Sequence, residues 1–566
     1  MRSFLSPIRV AALLAAVIIG SYYHWQVRAA GYDIVWTKGD LPGYYNYLAQ
    51  ALTSGHLYLP VEPSPALLAL PNPWDPNVDA SLKLWDTALY NRHFYLYHGI
   101  GPALMAFVPW RLLTGNDLPE NAGMFAFAFA GYLFALGSLL GLMDLAKLKP
   151  PAFVAFVAFL ALGICQNVPF LIHRVWVYEV AIAGGYFCIS AGIFFFIRYF
   201  RSGSDGWLWP AGLFFGMAVA CRPHLGLVGA LAFLLVLSKT PRRFAAFVIP
   251  FALVCAGICL YNFQRFGNPL QFGTKYLLGN ANQNEVHWRV SNLPAGFHFL
   301  LAVPPKVTYV FPWFRAVQRP LGLPPEYAFE PIVGGLWMAP FFFLAALGLR
   351  TSPVRRILWL LVASGTGIVL FIAGTGWSVQ RYEADFLPLF VLAALLSGLE
   401  NISGRLLVLM LLPGFIVSLV FGFTGPYDET IHNKPARYVR IAGWFSPVDK
   451  YRPRLNPSLE HEFTRPAVLP DGTRDVLIST GSALRYELRL EQAGGKPIMV
   501  SQTGRYAEQL VKQDLPESHG PRRIRAVFDP ATRTITVTQN GEPVLTHKLS
   551  ALITAPSEIR YAAPVL

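Results

Sequence analysis

The sequence predicts a polytopic α-helical membrane protein of about eleven spans, with a C-terminal all-β sandwich domain outside the membrane. Three observations carry this expectation. The 566 residues are 54% hydrophobic and only 14% charged, where soluble domains average roughly 25% charged. Apolar runs recur through residues 1–423 with short Lys/Arg clusters between them. From about residue 455 those runs stop, and short alternating segments with turn signals take over.

Crossing the hydrocarbon core takes about 20 apolar residues. Runs near 8–27, 121–143, 152–172, 175–197, 207–221, 224–238, 244–263, 331–349, 356–374, 386–399 and 404–423 meet or approach that length. The pieces at 207–238 and 386–399 are short for full crossings. Residues Ser21-Tyr22-Tyr23-His24-Trp25 form an aromatic belt with no small-x-small cleavage site after it, so the first run reads as a retained span with a cytoplasmic N-terminus.

Charge placement supports the assignment. Arg2 and Arg9, Lys147 and Lys149, Arg198 and Arg201, Lys239 with Arg242 and Arg243, Arg350 with Arg355 and Arg356, and Arg405 all fall on one side. The Lys/Arg bias makes that side cytoplasmic. The long connections at 28–120, 264–330 and 424–566 are then outside, the last comprising a linker at 424–454 and the β-domain at 455–566. The net charge of +14 is accounted for by these loops, and with no zinc-type cysteine spacing or Arg-rich helix nucleic acid is excluded. The five cysteines all lie in apolar runs and imply no disulfide framework.

In the first outer loop, Tyr44, Leu48, Ala51, Leu52 and Gly55 follow helical spacing and predict an amphipathic helix at the membrane surface. A Pro-rich stretch with the turn signal Asn72-Pro73-Trp74-Asp75-Pro76 follows, then a second interfacial helix at 101–114 ended by Gly115. In the C-terminal domain, Leu484 to Leu490 and Thr534 to Gln539 alternate in the strand period, and Asn540-Gly541 signals a hairpin. A further turn is expected after Val527-Phe528-Asp529-Pro530.

Four ionisable features gather on the outer side. Asp40, in Gly39-Asp40-Leu41-Pro42, is either an N-cap for the helix that follows or a site carboxylate, and Asp33 lies nearby. Arg222-Pro223-His224 sits between two short apolar runs, where Arg222 either snorkels to the interface or grips phosphate through its planar fork. Arg381-Tyr382-Glu383-Ala384-Asp385 opens a span and offers either a local ion pair or a phosphate or sugar contact. Glu179, with Arg174 nearby, is an intramembrane acid and so a site candidate unless the two simply pair. Lys275 and Tyr276 are placed to reach a head group. Asp75, Asp79, Asp86, His93 and His98 are metal-ligand types without a recognised spacing, which leaves a divalent metal open. No nucleotide-cradling Gly-rich loop occurs.

Taken in order, Gly39-Asp40-Leu41-Pro42-Gly43-Tyr44-Tyr45, Tyr95-Leu96-Tyr97-His98-Gly99-Ile100-Gly101-Pro102, Asn262-Phe263-Gln264-Arg265-Phe266-Gly267-Asn268-Pro269 and Arg381-Tyr382 resemble segments of the GT-C superfamily of integral-membrane glycosyltransferases. That group includes protein O-mannosyltransferases, aminoarabinose transferases and arabinosyltransferases. The resemblance covers about residues 1–423. It implies a hexosyl- or pentosyltransferase in a bacterial inner membrane, using a polyprenyl-phosphate sugar as donor and an extracytoplasmic glycan, lipid or protein as acceptor. By the same resemblance Asp40 is the catalytic base of an inverting transfer; Arg222, His224, Arg381, Tyr382, Glu179 and Lys275, read from their own settings, are the candidates for binding substrate. The paired acid seen in some relatives is missing, because position 38 is Lys.

The C-terminal domain resembles a laminin-G or concanavalin-like sandwich in 529–537 and 540–544, and Tyr486, Tyr506 and Tyr561 are candidates for stacking on sugar. Two rival readings remain open: a transporter or flippase of lipid-linked glycans, and a non-catalytic glycan-binding assembly protein.

Overall fold

The chain is a polytopic α-helical membrane protein with a C-terminal β unit. A computed structural model describes residues 6–29, 39–75, 77–78, 80–97, 99–237, 240–279, 288–307, 311–320, 323, 327–427, 429–430, 434, 437, 440–442, 444–445, 459–480, 486–503, 509–529, 534–549 and 559–562. Asp33, Lys38, Asp79, His98, Lys239 and Tyr506 lie outside the described residues, as does the turn at 530–533. The chain divides into two compact units. One comprises Met1–Arg28, Tyr32–Pro305 and Ala316–Gly422; the other comprises Ala29–Gly31, Lys306–Arg315 and Phe423–Leu566.

In the first unit, seven described helices are long and apolar enough to cross a membrane: Pro7–Arg28, Glu120–Leu145, Ala152–Leu171, Val177–Ser202, Pro241–Phe266, Arg355–Gly374 and Gly404–Thr424. Shorter apolar helices run over Ala103–Thr114, Pro223–Val236, Pro340–Thr351 and Leu387–Asn401. Leu13, Val17, Leu253, Phe263 and Leu409 are all more than half exposed on these long helices. A row of large apolar side chains left open is stable when the surrounding solvent is lipid.

Close approach of the helices depends on small residues. A Cβ added at Gly137 would stand 2.8 Å from the Phe194 ring, and one at Gly141 would stand 2.9 Å from Ile197. The helices 120–145 and 177–202 therefore meet along a glycine seam on one side and aromatic rings on the other, which is how lipid-embedded helices gain packing energy. The runs expected at 207–221 and 224–238 are two helices, Leu208–Cys221 and Gly226–Leu237, separated by a 3-10 turn at Pro223–Leu225. The run expected at 331–349 is broken into Gly335–Met338, a 3-10 turn at Pro340–Leu344 and Ala345–Thr351. Pro340 and the poor helix propensity of clustered Phe side chains favour the break.

The expected amphipathic helix forms over Tyr44–Thr53, with Gly55 at φ 78° turning the chain beyond it. The second forms as a π-helical stretch Ala103–Phe107 continuing into Val108–Thr114, and Gly115 ends it in the left-handed conformation at φ 73°. Between them, Thr87–Tyr90 and His93–Leu96 make a hairpin, with Asn91 and Arg92 both at positive φ, and Leu277–Leu278 adds a third strand. Positive φ at both turn positions matches the twist of the paired strands.

Besides the two-stranded ribbon of Lys306–Val307 and Phe314–Arg315, the described residues of the second unit form two larger antiparallel sheets. The five-stranded sheet has the order Gln509–Asp514, Lys496–Thr503, Tyr486–Ala493, Arg474–Thr480, Ile559–Tyr561; the four-stranded sheet has the order Glu542–Lys548, Thr534–Gln539, Arg522–Asp529, Leu459–Arg465. Leu488, Leu490 and Met499 of the first share one core with Ile524, Phe528, Ile535 and Val537 of the second, which makes a sandwich. Asn540 at φ 53° and Gly541 at φ 93° form the expected hairpin turn. Tyr486 is a core residue whose hydroxyl bonds with Ser501 at 2.9 Å. It offers no face for stacking on sugar. Tyr561 stacks on His461 at 4.1 Å.

Candidate functional site

Two cavities in the first unit carry opposite charge and meet at one tyrosine. The larger, of 660 Å³, is walled by Pro42–Tyr44 at the start of the amphipathic helix, by Trp85 and Asp86 at the edge of the small sheet, by Glu120, by Arg174–Tyr178 and by Glu330. The smaller, of 350 Å³, lies between Tyr97, Gly99 and Ile100, Ala220–His224, Tyr261, Asn262 and Arg265, and Tyr382. Tyr178 lines both.

Local sequence explains how the acidic wall is held. Asp86 takes a positive φ of 58° just before the first hairpin strand, and its N–H donates to the Leu278 carbonyl at 2.9 Å. Short acidic residues tolerate that left-handed conformation better than branched ones. Burial pushes the Asp86 carboxyl above the ordinary carboxylate range, opposed by a hydrogen bond from Tyr178 and by the fields of Arg381 and Arg174. Glu120 accepts from the Tyr45 N–H at 2.8 Å and so fixes the start of helix 44–53 from another element. Tyr44 donates its hydroxyl to the Trp85 carbonyl at 2.5 Å, and its pKa is pushed up to about 12, first by burial and then by the charges of Asp86 and Glu120.

Between the cavities runs a network of ion pairs. Arg381 forks onto Glu330, with Nη1 to Oε2 and Nη2 to Oε1 at 3.0 Å, and its guanidinium lies 4.0 Å from Glu179. Arg174 stands 3.8 Å from Glu179 and 3.7 Å from Glu330. Burial works against the Arg381 charge, but Glu330 and Glu179 outweigh it and hold the group more firmly protonated than usual. Arg381 also sits over the Tyr178 ring at 4.5 Å and the Tyr382 ring at 5.5 Å.

The basic cavity is organised by Asp385, whose side chain is 1% exposed. Its Oδ2 meets Arg222 Nη2 at 3.0 Å and His224 Nε2 at 3.0 Å. Arg222 lies over the Tyr382 ring at 4.9 Å. Arg265 is 4% exposed; it donates to the Leu96 carbonyl at 2.6 Å and to Asn262 Oδ1 at 2.7 Å, while its Nε finds no hydrogen-bond partner among the described residues. Among the described residues no carboxylate lies within ion-pair distance of Arg265, so the cavity lined by Arg222, His224 and Arg265 is suited to an anion.

Of the residues expected from sequence, Arg222, His224, Arg381, Tyr382 and Glu179 come together here. Two do not. Asp40 is exposed, with its side chain 68% open, and pairs with Arg111 at 2.8 Å. The same Arg111 holds the buried Asp117 at 2.6 Å, and Asp117 in turn accepts from the Leu41 N–H and from Gln50. Asp40 thus belongs to a clasp, through Arg111, between the segment before helix 44–53 and helix 108–114, and lines neither cavity; no side-chain cap bond from it to helix 44–53 is made, Gly43 being the N-cap. Lys275 is exposed beside Tyr276, with Nζ 5.9 Å from the ring, and lines neither cavity. Arg381 is not in a local pair with Glu383 or Asp385, because each acid faces a different partner: Asp385 takes Arg222 and His224, and Glu383 is fully buried and accepts from Gln380 at 3.1 Å.

Glu330, Glu120 and Arg265 were not singled out by charge pattern. Each is an ionisable residue at the end of an apolar run, and Arg265 lies besides in the 262–269 segment that carries the resemblance. Among the described residues, no group of three or more His, Cys, Asp or Glu side chains gathers as a metal site.

No protein-family model matches this chain, and no curated protein matches it. Among solved structures, the chain is similar to ArnT from Cupriavidus metallidurans, whose crystal structure is described as bound to undecaprenyl phosphate. That similarity covers 78% of this chain and 80% of that one, at 13% sequence identity and a TM-score of 0.40.

Proposed function

We propose that this chain is a membrane glycosyltransferase of the GT-C type, moving a sugar from a polyprenyl-phosphate donor to an acceptor hydroxyl with inversion. The observation that carries the reading is the pairing of an acid-lined and a base-lined cavity that share Tyr178, within a bundle of lipid-suited helices. Glycosyl transfer from a phosphate needs both kinds of chemistry: a carboxylate for the acceptor proton and cations for the departing phosphate. The Lys/Arg bias of the loops supports a site on the extracytoplasmic face of a bacterial inner membrane.

In this reading the donor phosphate lies in the basic cavity against Arg265 and Arg222, and the prenyl chain leaves between helices into lipid. Asp86 takes the proton of the acceptor hydroxyl as its oxygen attacks the anomeric carbon. The bond from that carbon to the phosphate oxygen breaks, and its electron pair stays on the phosphate, where the guanidinium groups stabilise it. Asp385 holds Arg222 and His224 in position, and Arg381 steadies the Tyr178 and Tyr382 rings between the two cavities. Asp40 acts on the loop that walls the acidic cavity, through Arg111.

The test is sugar transfer in nanodiscs with a panel of polyprenyl-phosphate sugars, comparing the wild type with Asp86→Asn and Asp40→Asn. One donor is turned over by the wild type. Asp86→Asn loses at least about 100-fold, the usual worth of a general base, and Asp40→Asn retains most activity. Loss confined to Asp40→Asn would move the base to Asp40. No turnover with any donor by a folded protein would sink the reading.

A further inference from the structure

We infer that the acid-lined cavity takes a saccharide without negative charge, and that this cavity selects the acceptor by excluding acidic glycans. The inference rests on the glycosyltransferase reading for the word acceptor, but the ligand chemistry is argued from the cavity alone.

At 660 Å³ the space falls within the roughly 300–1,000 Å³ of small-molecule sites. Its polar lining carries three carboxyl groups, those of Asp86, Glu120 and Glu330, against the guanidinium of Arg174; Arg381, outside the lining, forks onto Glu330, and Glu120 already accepts from the Tyr45 N–H, so Asp86 is the acid of the wall with neither partner. An ionised carboxylate only accepts hydrogen bonds, so the ligand that satisfies this wall must bring many donors. A polyol does so. An anionic ligand brings acceptors and a like charge, which a wall of carboxylates repels more strongly in a partly dewatered cavity than in water.

The apolar part of the lining consists of aromatic rings. Trp85, Trp176 and Tyr44 face the space, and Trp176 is half exposed. The Arg174 guanidinium lies 3.6 Å from the Trp176 ring centroid, and the Lys83 ammonium lies 5.3 Å from that of Trp85. Each indole is thereby held by a cation, which fixes the plane it presents. The electron-rich face of an indole attracts the slightly positive C–H face of a sugar ring. Flat aromatic walls beside acceptor-only groups match the two faces of a pyranose, one of C–H and one of O–H. A polyamine would also satisfy the carboxylates, but the indoles it would stack on already carry the cations of Arg174 and Lys83.

The wall is also built to keep its shape. The Pro42–Tyr44 segment is tied by Glu120 to the Tyr45 N–H and by Asp117 to the Leu41 N–H, each at 2.8 Å. A preorganised wall lowers the ordering cost of binding a flexible glycan.

The experiment is equilibrium binding, followed by tryptophan fluorescence and confirmed by calorimetry, with the full chain in nanodiscs and no donor present. The probes are the neutral tetrasaccharides of glucose and of mannose, tetragalacturonate, and spermine. At least one neutral tetrasaccharide binds saturably. Trp85→Ala and Trp176→Ala each weaken it at least tenfold, and tetragalacturonate binds at least tenfold more weakly. Asp86→Asn narrows the gap between neutral and acidic probes while the protein stays folded. The inference is overturned if tetragalacturonate binds as tightly as the neutral probes, if spermine binds more tightly than either, if no neutral probe binds, or if the tryptophan variants leave binding unchanged. Binding without transfer from any lipid donor would remove the enzyme reading and leave this one standing. Transfer onto an acidic glycan in preference to neutral ones would do the reverse.

Discussion

Removing the carboxylate of Asp385 tests whether the basic cavity is held by one buried ion pair. Asp385 Oδ2 stands 3.0 Å from Arg222 Nη2, with the two side chains 1% and 13% exposed. At that separation and an effective dielectric of about 20, Coulomb's law gives a gross attraction of about 5–6 kcal/mol. Desolvation of both groups takes back more than half of it, so a net coupling of about 2 kcal/mol is expected, a factor of about 30 in the unfolding equilibrium. The measurement is a double-mutant cycle on Asp385→Asn and Arg222→Gln, with stability read by denaturant unfolding in mixed micelles. Asp385→Asn leaves Arg222 without its carboxylate, and Arg222→Gln leaves Asp385 with His224 alone; the double change removes both charges and loses less than the two singles together. Single effects that simply add, within about 0.5 kcal/mol, would refute the reasoning. Arg222 would then be held by its stacking on Tyr382 and not by Asp385.

Two further changes probe groups nearby. Burial pushes the Glu383 carboxyl well above its ordinary value of 4.5. Its folded state therefore binds the proton at pH values where the unfolded chain has released it, and stability falls as pH rises from that ordinary value towards the folded one. Glu383→Gln keeps the shape without the titration, so it flattens this slope and gains on the wild type at pH 8, read as unfolding midpoints at pH 5 and pH 8; a slope unchanged by the substitution would disprove the assignment. Arg265→Lys keeps a charge but loses the fork onto the Leu96 carbonyl and Asn262. It is expected to raise the donor KM at least tenfold while changing kcat less, and an unaltered KM in the transfer assay would place the donor phosphate elsewhere.

How much of this was legible beforehand differs by element. The interfacial helix 44–53, the glycine stop at 115 and the Asn540-Gly541 hairpin were read from residues because each depends on local chemistry: periodicity, a left-handed cap and a two-residue turn. The break in the 331–349 run at Pro340 was not anticipated from hydropathy, since the mean apolarity of a window is blind to whether its backbone stays helical. Asp40 illustrates the harder case. Its local setting invites the roles of cap or base, but the residue that decides its contact, Arg111, is 71 positions away.

The sequence by itself determined that this chain lives in lipid, where several of its helices stop, and that a β sandwich follows them. These properties follow from composition and short-range pattern, which transfer free energies and turn geometry read directly. Only the tertiary structure decided which charges face one another. Arg381 finds Glu330 at a distance of 51 residues, His224 finds Asp385 at 161, and Asp86 lines one cavity with Glu330. An ion pair is set by distances of a few ångströms in space, and nothing in the spacing of charges along the chain encodes that separation.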